Sequence, residues 1–143
     1  LEVVRNHPDQ EFLFLTKNPV RYFQFNFQEN SIMGATVETD NDLTYVTGRI
    51  SDAPPPVNRL KAMALVEHKR KMISIEPILD FNLRNFVTLI REVEPDFVYI
   101  GYDNYNNKLP EPPLEKTNML VEELQKFTEV RVKTLRKAWW ERK

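Results

Sequence analysis

With 143 residues, 41% hydrophobic and 11% aromatic, the chain has apolar mass enough for one globular domain over 1–143, which excludes disorder by composition. Its 21 acidic and 20 basic residues nearly cancel, which excludes a global field steering it toward nucleic acid or an anionic membrane. No run of about 18 apolar residues and no basic leader is visible, so a cytoplasmic protein without a membrane partner is expected, and the absence of cysteine excludes disulfides, thiolate zinc sites, cysteine nucleophiles and cysteine-held iron–sulfur clusters within these residues.

The opening LEVVRNHPDQ places Leu1 and Val4 as the last turn of an amphipathic helix begun upstream, broken by Pro8 and Asp9; the chain therefore reads as the C-terminal portion of something larger. A first strand, FLFLTK, ends at Lys17, and Asn18-Pro19 then predicts a helix start with Asn as cap. Tyr22, Phe23, Phe25 and Phe27 are expected to be core aromatics of that helix rather than a base-stacking platform. The strand IMGATVETD follows, and then residues 41–56 show no periodicity and read as a long loop stiffened by three prolines.

A helix over 57–67 sets Leu60, Met63, Ala64 and Glu67 on one stripe, and the strand MISIEP ends at Glu76. Next come a helix over 81–93, the strand FVYIGYDN, a helix over 114–127, the strand VRVKT, and a short helix over 135–143 with Trp139 and Trp140. Continuous apolar strands alternating with helices predict a parallel α/β sheet of about five strands with right-handed crossovers. A barrel arc and a doubly wound sheet share this alternation. With only three glycines, neither a dinucleotide fingerprint nor a P-loop can be written.

In parallel α/β folds the chemistry sits where strands end, which points to Lys17, Glu38, Glu76, Asp103 and Lys133. Two carboxylates on one rim, Glu38 and Glu76, can hold a ligand amine, coordinate a divalent ion or move a proton; equally, each can cap a helix or pair with Lys17 or Lys133. Tyr102, Asp103 and Asn104 open the densest polar stretch, YDNYNNK, which suits a polar substrate as well as a structural turn. Lys133 closes the last strand beside them. The basic segment 130–143 carries Arg131, Lys133, Arg136, Lys137, Arg142 and Lys143 with both tryptophans, so it can contact phosphates and stack on bases, or pack a tryptophan across the sheet bottom. His7 and His68 lack metal-ligand spacing, and no metal site is read.

At FLTKNP, VET, SIEPILDF and IGYDNYNN the chain resembles a family of uncharacterised radical-SAM-like proteins of prokaryotes and phages, over nearly its whole length. The resemblance implies a partial TIM-type (β/α) barrel with S-adenosylmethionine across the strand ends. It places Glu38 and Glu76 among rim groups facing that cofactor or the substrate; strand-end position adds Lys17 to the expected cofactor-binding groups and makes Tyr102, Asp103, Asn104 and Lys133 the expected substrate-binding groups. The resemblance also implies an N-terminal cysteine motif holding a [4Fe–4S] cluster, and here the chain departs, having no cysteine. As given it is expected to be inactive. The alternative is a non-enzymatic module that binds nucleic acid or protein through the basic, Trp-bearing C-terminus. A barrel cut open also predicts self-association through an unpaired sheet edge.

Overall fold

Five short runs form parallel strands, β1 (Phe12–Thr16), β2 (Ser31–Thr36), β3 (Lys71–Ile75), β4 (Phe97–Ile100) and β5 (Glu129–Val132), paired in the order β1-β2-β3-β4-β5 in a computed structural model that describes residues 1–142. Strand order follows chain order without a reversal. A doubly wound sheet needs a switch point where the order reverses, so the topology is that of a barrel arc. The helices are α1 (Glu2–Asn6), α2 (Asp42–Thr47), α3 (Pro56–Leu65), α4 (Leu83–Val93) and α5 (Leu114–Gln125), with single 3-10 turns at Pro19–Gln24 and Trp139–Glu141. Among the described residues no helix is long and apolar enough to cross a membrane.

Strand periodicity sorts the side chains between two faces. Met33, Ala35 and Val37, Ile73 and Ile75, and Val98 and Ile100 join Leu60 and Met63 of α3, Phe86 and Ile90 of α4, and Leu120 and Leu124 of α5 in the main core. The alternate positions Ile32, Met72 and Phe97 form a second, smaller cluster with Tyr99 on the opposite face. Both faces of the central strands are thus apolar, and every residue of β2 and β3 is buried. The helix α4 starts at Leu83 because Asn82 accepts the Asn85 amide, and its stripe Phe86, Val87, Ile90 and Val93 is buried as the sequence pattern requires.

Four local expectations are corrected. Residues 41–56 are not a featureless loop: Asn41 caps α2 by accepting the Thr44 amide, and Asp42 accepts the Val57 amide at the start of α3, so polar side chains do what apolar periodicity cannot announce. Asn18 makes no side-chain cap, and the turn it precedes is a 3-10 turn rather than an α-helix. Only Tyr22 and Phe27 of the aromatic group join the core; Phe23 and Phe25 stay exposed, because the 3-10 segment ends at Gln24 and Phe25 continues in extended backbone, so the four rings do not share one helical face. Glu67 lies beyond α3 and is exposed.

The sheet's two edges differ in character. β1 leaves Leu13 and Leu15 about half exposed, at 47% and 50%. On β5, Arg131 pairs with Glu129 and lays its guanidinium 3.8 Å from the Phe97 ring centroid, covering the smaller apolar cluster with charge.

Gly34 of β2 sits in register with Leu15 and Met72. A Cβ there would meet Met72 Sδ at 2.6 Å and the Phe14 carbonyl oxygen at 3.1 Å, so the thioether occupies the space a side chain would need. Gly34→Ala is expected to cost about 1–3 kcal/mol in urea denaturation, and distinctly less in a Met72→Ala background where that space is open.

Candidate functional site

Glu38 lies two residues past β2 and is fully buried, as is Arg59 of α3. The guanidinium donates from Nη1 to Glu38 Oε2 and to the Thr36 carbonyl, both at 2.9 Å, from Nε to the Pro54 carbonyl at 2.6 Å, and from Nη2 to the Tyr45 hydroxyl at 2.5 Å. One side chain thereby ties β2, the proline entry to α3, and α2 together. The other oxygen of Glu38 is treated differently. Lys17 Nζ stands 2.6 Å from Oε1, so each oxygen of this buried carboxylate faces a cation. Lys17 itself is 40% exposed along its side chain.

Glu76 follows β3 at the row of Gly101, and Lys133 follows β5 at the same row. Lys133 Nζ lies 3.1 Å from Glu76 Oε2 and 4.7 Å from the Tyr99 ring centroid. A Cβ on Gly101 would meet Glu76 Oε1 at 3.2 Å and Lys133 Cβ at 3.4 Å, so the glycine leaves the room in which carboxylate and lysine stem pass each other. The rim therefore reads Lys17, Glu38, Glu76, Lys133 from β1 to β5, cations outside and carboxylates inside. Of the five strand-end groups predicted, the structure joins these four in two ion pairs.

The remaining group, Asp103, is spent on its own loop. It accepts from the Asn107 amide at 2.7 Å, the Tyr105 amide at 3.1 Å and the Asn107 side chain at 3.0 Å. Burial works against its charge, yet these hydrogen bonds and the nearby Arg136 outweigh burial and leave its carboxyl below the usual aspartate range. Tyr102 departs from the exposed position the sequence reading gave it: it is fully buried, with its hydroxyl bonded to the Pro112 carbonyl and to Thr117 of α5. Asn104 is exposed on the loop.

The C-terminal segment corrects a second expectation. Only Trp139–Glu141 is helical, as one 3-10 turn, and Lys143 lies outside the described residues. The tryptophans do not cross the sheet bottom. Trp139 donates to the Leu109 carbonyl and Trp140 to the Glu111 carbonyl, both in the connection after β4, which strands reach at their C-terminal ends. Glu111 is the buried anchor, taking both Nη atoms of Arg136, at 2.7 and 2.6 Å, and the Trp139 amide at 3.0 Å. Glu141 accepts the amides of Leu114 and Ala138, fastening the tail to the start of α5.

Arg59, Tyr45 and Glu111 are the residues that sequence reasoning missed, and Arg136, read there as a phosphate contact, is instead held by Glu111. Arg59 had a signal, since it stands beside Leu60 and four residues before Met63, on the border of the buried stripe. The others depend on contacts across 14 to 28 residues that no local pattern records. Among the described residues no group of three or more His, Asp or Glu comes together as a metal site. Comparison with family models, curated proteins and solved structures finds no match for this chain.

Removing the guanidinium leaves Glu38 buried beside a partly solvated lysine alone. Arg59→Ala is expected to lower stability by about 3–5 kcal/mol in urea denaturation, and Arg59→Lys by a large part of that, because an ammonium cannot reproduce the fork. Asp103, with its lowered value, stabilises the fold fully above the ordinary aspartate range and loses that contribution as pH falls through its folded value. Asp103→Asn should therefore flatten the fall in urea midpoint between about pH 5 and pH 3 relative to the parent.

Proposed function

We propose that this chain forms one wall of a radical-SAM-like partial barrel, with S-adenosylmethionine held across the strand ends by Glu38, Glu76, Lys17 and Lys133. The observation that carries the reading is the charge pattern at the strand ends, two carboxylates flanked by two ammonium groups: Glu38, fixed through Oε2 by Arg59, pairs with Lys17 at 2.6 Å, and Glu76 pairs with Lys133 at 3.1 Å. A fixed acceptor of this kind suits an ammonium, and the amino-acid end of adenosylmethionine offers an ammonium beside a carboxylate. The flanking Lys17 and Lys133 suit the carboxylate. Bound there, the group supplies a sulfonium whose attached carbons are activated for cleavage or transfer.

The [4Fe–4S] cluster does not fit these residues, because its ligands are cysteine thiolates and the chain has none. No electron-transfer step is assigned to this chain, and in this reading it is inactive alone. The unequal edges favour a partial barrel over a closed one. Leu13 and Leu15 on β1 want a further strand, whereas the charged Glu129 and Arg131 on β5 discourage one.

Calorimetric titration with S-adenosylmethionine should show binding that Glu76→Gln weakens about tenfold or more, with adenosylhomocysteine binding less tightly than the sulfonium. Unchanged affinity in Glu76→Gln, or no heat at millimolar ligand, would reject the reading. For the edge, sedimentation should show concentration-dependent self-association that Leu15→Lys abolishes; a parent that stays monomeric throughout would argue that β1 needs no partner.

A further inference from the structure

Beside the rim, the loop after β4 and the C-terminal tail enclose a cleft of about 350 Å³ lined by Asp103, Asn104, Asn106, Thr134, Arg136, Trp139 and Arg142. Its lining divides into groups the fold has used and groups it has not. Asp103 is committed to its loop and Arg136 to Glu111, the Asp103 carbonyl and the Lys137 carbonyl. Asn104, Asn106 and the Thr134 hydroxyl make no side-chain hydrogen bond among the described residues, and Arg142 uses only Nε, toward the Lys137 carbonyl.

The chemistry of the unused set is specific. Trp139 is 36% exposed as a residue, its indole N–H donates to the Leu109 carbonyl, and Lys108 Nζ lies over its ring, 5.0 Å from the centroid. Two carboxamides carry a donor and an acceptor each, the pairing that reads a base edge. A free guanidinium end and a hydroxyl suit one phosphate. The volume lies at the low end for ligand pockets, which suits one nucleotide. We infer that this cleft is a subsite for a single nucleotide unit, its base stacked on Trp139 and read by Asn104 and Asn106, its phosphate on Arg142 and Thr134. The inference is independent of the adenosylmethionine reading, since it uses none of Lys17, Glu38, Glu76 or Lys133.

Because Trp139 and Trp140 are the two tryptophans of the chain, Trp140→Phe leaves Trp139 as sole reporter. In that background, nucleoside monophosphates should quench the fluorescence, inorganic phosphate alone should not, and nucleosides should bind about tenfold more weakly. Arg142→Ala should weaken nucleotide binding about tenfold, and Asn104→Ala should reduce the discrimination among bases. A pentanucleotide binding more tightly than the monophosphate, with salt dependence, would identify the source as a single strand; equal binding would identify a free nucleotide. The inference is overturned by absence of quenching at millimolar nucleotide, by quenching unchanged in Arg142→Ala, or by competition from S-adenosylmethionine, which would merge the cleft with the rim.

Discussion

A guanidinium removed from water holds the strand ends of this protein together. Arg59 is fully buried, and a charge so placed is tolerable only if it is neutralised and its donors are used; Glu38, Thr36, Pro54 and Tyr45 meet that demand. The consequence is mechanical. β2 and α2 each contribute an acceptor, Pro54 contributes a third ahead of α3, and α3 carries the arginine itself, so the geometry of all three elements is set by one side chain. The second oxygen of Glu38 meets the Lys17 ammonium at 2.6 Å, which carries the same network across to the end of β1.

At the far end of the sheet a second buried carboxylate repeats the scheme with different partners. Glu111 binds both arms of Arg136 and the Trp139 amide, and so converts a basic tail into a strap across the connection between β4 and α5. Two of the tail's cations are therefore not available as a polyanion surface: Arg136 is held by Glu111 and Arg131 by Glu129. Among the described residues Arg142, with Lys108 beside Trp139, brings charge to the small cleft, and Lys137 is exposed without an ion pair.

Between these anchors the face opposite the main core grades from apolar to charged. Leu15, Gly34, Met72 and Phe97 share one row, Ser74 and Tyr99 the next, and Glu76 and Lys133 close the strand ends. Apolar side chains fill the lower rows, and charge gathers where helices do not press on the strands. This gradient is why site chemistry and core packing coexist on strands of four to six residues.

The amino-acid pattern alone determined that the chain is a parallel α/β domain, where its strands and its α4 and α5 helices lie, and that polar groups end the strands; runs of apolar residues of strand length and helical stripes depend on neighbours a few residues away, so they are legible in order. Tertiary structure alone decided that the strands follow each other in a barrel arc, that Tyr102 turns inward while Asn104 stays out, and that the carboxylates divide into those sealed by arginine and those left open. Arg59 meets Glu38 across 21 residues and Arg136 meets Glu111 across 25, and an ion pair formed over such distances leaves no period in the sequence. Composition could show that charges balance. Only the fold could choose which of them cancel.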